Sequence, residues 1–149
     1  MKIIQYPETS CSSIPVFLGG STAKGDWQKL VEAYMVDTNA TLINTCRPDW
    51  DLNSPTQAEK EKHMIWEFNW LDRSSFNFIC IPADAKSPTV LLELGIAISK
   101  APRVPVIVFI DPSYSHFENA RVACKTVNVG VHTDFDKAMY RLKNMFLTM

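Results

Sequence analysis

The sequence predicts an α/β domain in which a parallel sheet lies between two layers of helices, and three observations carry that reading. Short β-rich runs alternate with longer segments of helical spacing, as strands joined by crossover helices require. The runs are nearly continuous in apolar residues, as expected of strands covered on both faces. The 149 residues, with 46% hydrophobic, 11% aromatic and 21% charged content, suffice for one core and fall short of two domains. A single domain over residues 1–149, without linker, repeat or low-complexity tract, is therefore expected.

Taken in order, IPVFL at 14–18, TLIN at 41–44, FNFICI at 76–81 and VPVIVFI at 104–110 predict strands, and the valine-rich stretch 122–131 a fifth. Residues 27–35 carry helical spacing through Leu30, Val31 and Tyr34. Residues 57–74 open with charge and then show Met64, Phe68 and Leu71 at i, i+4 and i+7. Ser87-Pro88 supplies an N-cap and a first-turn proline for a helix running to about Lys100, and 135–146 close the chain as an amphipathic helix. Parallel strands need right-handed crossovers, so this order gives a flavodoxin-like or Rossmann-like three-layer sandwich with a five-stranded parallel sheet. In such sheets ligands bind beyond the carboxyl ends of the strands, which directs attention to the loops after the first three strands, above all residues 45–56.

Composition removes several classes of function. Fifteen Lys and Arg against sixteen Asp and Glu give a net charge of −1, with no basic patch to follow a phosphate backbone, so a nucleic-acid polymer is not an expected partner. No apolar run reaches the ~18 residues of a membrane span, and the start MKIIQYPETSCSS turns polar after two isoleucines, so a cytoplasmic protein is expected. Cys11, Cys46, Cys80 and Cys124 are scattered singly, without the pairs of a zinc site, and no metal or cofactor is expected. Cys80 and Cys124 read as buried, whereas Cys46 in its polar loop reads as more accessible.

Glu93 stands out as a lone carboxylate within VLLELGIAI. An unpaired buried charge costs several kcal/mol, so it is paired, protonated or kept for chemistry, unless it marks a solvated stripe of its helix. Gly95, in mid-helix, suggests a close approach. A second carboxylate, Glu67, shares a helix face with His63, Trp70 and Ser74; the stripe either borders a pocket or is an ordinary surface ion pair. Gly19-Gly20-Ser21 follow the first strand, where glycines let backbone N–H groups approach a ligand, although an ordinary turn has the same composition. Asp49 and Asp51 flank Trp50 as ligand contacts or as a solvated loop.

Together, VFLGGS at 16–21, RPDWD at 47–51, Trp66-Glu67, SPTVLLELG at 87–95 and NARV at 119–122 resemble the nucleoside 2-deoxyribosyltransferase-like family, over roughly residues 16–124. The resemblance implies a flavodoxin-like enzyme that cleaves the N-glycosidic bond of a 2′-deoxynucleoside, or of its 5′-monophosphate, and transfers the deoxyribose to another base. It implies Glu93 as nucleophile and Glu67 as the second catalytic carboxylate. Gly19, Gly20 and Ser21 would line the sugar side, with Trp27, Arg47, Asp49 and Asp51 near the base, Phe17 and Ser87 among the other substrate-binding residues, and Lys24 and Arg47 leaving room for a 5′-phosphate. Phe17 stands where these transferases often have a tyrosine, and Ala85-Lys86-Ser87-Pro88-Thr89 where they have Asp-Gly-Thr/Ser. The resemblance further implies a homo-oligomer with shared sites, in which residues 112–121 cross to the neighbour and Asn119 contacts a sugar hydroxyl. Transfer to water, giving a hydrolase, and a non-catalytic nucleoside- or nucleotide-binding module are the alternatives.

Overall fold

The computed structural model describes residues 1–21, 26–47 and 54–149, so Lys24, Asp49, Asp51 and half of the 45–56 loop lie outside the described residues. The element order is β1 (Lys2–Ile4), β2 (Pro15–Gly20), α1 (Asp26–Tyr34), β3 (Thr41–Asn44), α2 (Gln57–Arg73), β4 (Phe76–Ile81), α3 (Thr89–Ser99), β5 (Val106–Ile110), α4 (Phe117–Thr126), β6 (Val131–His132) and α5 (Phe135–Leu147). All strand pairs are parallel, in the order β1-β3-β2-β4-β5-β6. Without the edge strand β1, this is the doubly wound flavodoxin-like order, with its switch point between β2 and β4.

Successive side chains along each strand face opposite layers. Phe17, Ile43, Ile79, Ile81, Val108 and Ile110 meet Trp66, Trp70 and Leu71 of α2, Val90, Leu94 and Ala97 of α3, and Ala120 and Cys124 of α4. Val16, Leu18, Leu42, Phe78, Cys80 and Ile107 meet Trp27 and Val31 of α1 and Ala138, Leu142 and Phe146 of α5. The capping box of α2 is complete: Thr56 Oγ1 accepts from the Glu59 N–H at 3.2 Å, and the Glu59 carboxylate accepts from the Thr56 N–H at 3.1 Å. No helix among the described residues is long and apolar enough to cross a membrane.

The structure corrects the expected sheet in three places. It has six strands among the described residues, because the short segment Lys2–Ile4 pairs with β3 at an edge. The expected fifth strand at 122–131 is mostly the helix α4, which buries Ala120 and Cys124 at i and i+4 and leaves Val122 exposed; only Val131–His132 joins the sheet. The glycines expected just after the first strand are its last two residues, paired with β4 at Gly19↔Ile79 and Gly20↔Cys80. The start of α3 shifts by one residue: Pro88 takes the N-cap position, and Ser87 Oγ just before it accepts from the Thr89 N–H at 3.3 Å.

Asn77 is fully buried on β4, opposite Phe17 and Val106, and among the described residues neither polar atom of its side chain has a hydrogen-bond partner. An unpartnered buried amide costs about 1–3 kcal/mol. Asn77→Val, which suits a strand and removes both polar atoms, is therefore expected to raise stability by about that amount, measured as a higher denaturant midpoint at unchanged m-value.

Candidate active site

The site is built at the switch point. β2 ends on Gly20, whose φ of +109° lies in the left-handed region and whose Cβ, were there one, would collide with the Cys80 carbonyl of β4. Both facts demand glycine. At Gly19 an added Cβ would lie 3.1 Å from Glu93 Oε2, besides crowding Phe17 and Ile79, so the missing side chain leaves room for the carboxyl. Glu93 descends from the second turn of α3 into that space, 1% exposed, and the Gly20 N–H donates to its Oε2 at 2.6 Å.

Glu67, on α2, is also buried and reaches the same point, close enough to share a hydrogen bond with Glu93 once one of the two is protonated. Burial first, then the Glu67 charge and the hydrogen bond between the carboxyls, push Glu93 well above the usual glutamate range; the Gly20 N–H acts in the opposite direction and does not prevail. From the other side, His63 Nε2 stands 2.6 Å from Glu67 Oε1 and 3.1 Å from the Thr45 carbonyl oxygen. A cavity of about 330 Å³ opens over the pair, at the lower end of the range for small-molecule sites. Gly20, Ser21, His63, Glu67, Ser87 and Glu93 line it, together with Lys60, Met64, Asp84, Lys86 and Thr89.

Of the residues the sequence singles out, the structure thus brings Glu93, Glu67, Gly20, Ser21 and Ser87 to one cavity and sets Gly19 beneath it. Phe17 is fully buried under the floor: two residues before Gly19, it shares that face of β2 but lies one pleat further from the strand's carboxyl end, packed with Ile43 and Ile79. Trp27 lies behind the wall, donating Nε1–H to the Ser21 carbonyl at 2.6 Å while its ring packs on Phe78. Arg47 is half-buried outside the cavity, 4.7 Å over the Tyr6 ring and with its Nη1 3.5 Å from His63 Nδ1. Asn119 is exposed on α4, away from the cavity lining. The segment 112–121 is not a free aromatic loop: Tyr114 is buried in the core and Phe117 begins α4. Cys46 is buried rather than accessible, and Gly95 faces open space rather than a close neighbour.

The sequence reading missed Lys60, Met64, Asp84, Lys86 and Thr89. Lys60 and Met64 lie seven and three residues before Glu67, so extending its helix face backwards would have found them. Asp84 and Lys86 follow β4 directly, beyond the carboxyl end of a central strand.

Residues 13–114, more than half of the chain, match the family described as nucleoside 2-deoxyribosyltransferase like. The chain belongs to that family. No curated protein matches it. The matched stretch spans β2 to the end of β5 and so contains both glutamates, whereas β1 and most of the segment that follows it precede the match.

The raised Glu93 carboxyl has a consequence for stability. Above about pH 4.3 the unfolded chain releases this proton while the folded chain retains it, so the contribution favours folding at low pH and is lost as pH rises towards the folded value. Glu93→Gln keeps an acceptor for the Gly20 N–H and cannot ionise. Its melting temperature is expected to equal that of the parent near pH 4 and to exceed it increasingly between pH 5 and 8, followed by calorimetry.

Proposed function

We propose that this member of the nucleoside 2-deoxyribosyltransferase-like family cleaves the N-glycosidic bond of a 2′-deoxynucleoside, or of its 5′-monophosphate, with Glu93 as nucleophile, and passes the deoxyribosyl group to a second base. One observation carries the reading: two buried carboxyls meet at the floor of a ligand-sized cavity, one of them fixed by a backbone N–H. Retaining glycosyl chemistry uses two carboxyls about 5 Å apart, and these two stand within hydrogen-bond reach of each other. A module that merely binds nucleosides gains nothing from burying two acids together, since each costs several kcal/mol to ionise there.

The pair is best described as sharing one proton. In the reactive state that proton is on Glu67 and Glu93 is the carboxylate. A Glu93 oxygen attacks C1′ as the bond from C1′ to the base nitrogen breaks; the electron pair of that bond stays with the base, which takes the proton from Glu67. The acceptor base then gives a proton to Glu67 as its nitrogen attacks C1′, and Glu93 leaves as the carboxylate, so configuration is retained and the enzyme is restored. Water in place of the acceptor base gives deoxyribose by the same steps. Lys60, Lys86 and Asp84 at the cavity wall offer charge to the rest of the substrate. A cytoplasmic setting and assembly with further copies, with exposed His116 and Asn119 available to a neighbour, belong to the same reading.

Incubation with a panel of deoxynucleosides and their monophosphates, with and without free adenine or cytosine, tests the proposal by chromatography of the products. Base exchange is the expected outcome, and free deoxyribose or its phosphate identifies the hydrolase. Glu93→Gln is expected to lose turnover by at least ~10³-fold, because the amide is a poor nucleophile, with its fold intact.

A further inference from the structure

Behind Glu67 stands a group of side chains to which the reaction above gives no part. His63 is 3% exposed, is stacked on Trp66 with ring centroids 5.6 Å apart, and meets the edge of Tyr6 at 5.4 Å. Tyr6 belongs to the segment between β1 and β2, in the part of the chain that precedes the family match. That segment is tied to α2 by its backbone: the Glu8 carbonyl accepts from both Trp66 Nε1–H, at 2.8 Å, and Trp70 Nε1–H, at 3.0 Å, and the Thr9 carbonyl accepts from Arg73 at 3.0 Å. Arg47 lies over the Tyr6 ring and reaches His63 Nδ1.

These contacts fix the state of the ring. The Thr45 carbonyl can only accept, so Nε2 carries a hydrogen, pointing at Glu67 Oε1 and at that carbonyl, while Nδ1 faces the Arg47 guanidinium, which can only donate. Glu67 Oε1 is therefore held as an acceptor, just as the Gly20 N–H holds Glu93 Oε2. An oxygen already accepting from a fixed N–H is a poor place for a proton. The one proton of the pair is thereby directed to the two remaining oxygens, Glu67 Oε2 and Glu93 Oε1.

We propose that His63 is a positioning residue that confines the proton of the carboxyl pair to the space between Glu67 and Glu93, and that residues 6–9 serve as a strap holding the imidazole in the orientation this requires. The inference rests on the proposed N-glycosidic reaction for its catalytic meaning, since the confined proton is the one Glu67 gives to the leaving base. Among the described residues, the charged and titratable groups facing the ring are Arg47 from the segment after β3, Tyr6 from the strap, and Glu67 from its own helix, with Glu93 of α3 beyond it.

Two variants of His63 separate positioning from packing. His63→Met removes the donor; His63→Gln restores an N–H near the place of Nε2. His63→Met is expected to lower kcat about 100-fold with KM nearly unchanged, and His63→Gln to recover most of the loss. In a Glu67→Gln background, His63→Met should cost nothing further, because His63 acts through Glu67. Equal impairment of both variants, or losses that multiply with Glu67→Gln, would overturn the proposal.

Nuclear magnetic resonance decides the proton's placement independently of turnover. The ¹⁵N shifts of the His63 ring are expected to show hydrogen on Nε2, and the ¹³C titration of the glutamate carboxyls is expected to move to higher pH in His63→Met. Hydrogen on Nδ1, or an unmoved titration, would refute the placement even if the protein proves active. If it cleaves no nucleoside, the functional reading falls, and these spectra still decide the role of the ring.

Discussion

The 2.6 Å hydrogen bond from the Gly20 N–H to Glu93 Oε2 joins the end of the central strand to the helix that covers it. It exists because β2 and β4 approach so closely at Gly20 and Cys80 that no side chain fits, and because Gly19 leaves the neighbouring volume empty. Glu93 fills that volume with a polar group in a part of the molecule otherwise packed with Phe17, Ile79 and Leu94. A hydrogen bond to a charged group contributes about 1.5–3 kcal/mol, whereas burying an ion costs several. One donor to each, the Gly20 N–H to Glu93 and His63 to Glu67, cannot offset two buried carboxylates. The balance is met by the proton that Glu93 retains, its carboxyl held well above the usual glutamate range by burial and by the Glu67 charge, in a cavity whose wall also carries Lys60 and Lys86.

The two glutamates reach this point from different helices, so their separation depends on how α2 and α3 sit on the sheet. On α3 the anchoring is apolar, through Val90, Leu94 and Ala97. On α2 it is partly polar: the indoles of Trp66 and Trp70 both donate to one backbone carbonyl of the N-terminal segment. Two donors on one acceptor fix the helix in rotation as well as in depth, and rotation of α2 is what would move Glu67 relative to Glu93. The part of the chain that lies before the family match thus bears on the geometry of the part within it.

Much of this is legible in the sequence where local chemistry sets the structure. TLIN and FNFICI mark β3 and β4 to the residue, because strands buried on both faces leave continuous apolar runs. Glu93 is visible as a charge inside an apolar helix, and Glu67 through helical spacing. The stretch 122–131 misleads because Val122, Val127, Val129 and Val131 favour strand locally, while the helix there is decided by the tertiary burial of Ala120 and Cys124. Proximity in sequence to the glycines is a poor guide to ligand contact: Phe17 lies a pleat too deep in the sheet, and Trp27 packs in the opposite layer. The strap leaves no periodic signature at all, because its contacts run through the Glu8 and Thr9 carbonyls, which every residue type possesses.

Whether Glu93 bonds covalently to the sugar, as proposed, is decided by peptide mapping by mass spectrometry after rapid quenching of the protein with a 2′-deoxynucleoside in the absence of acceptor base. A deoxyribosyl adduct is expected on the peptide containing Glu93, discharged when a free base is added and absent from Glu93→Gln. Cleavage of the nucleoside with no adduct, or with an adduct on any other residue, would contradict the proposal.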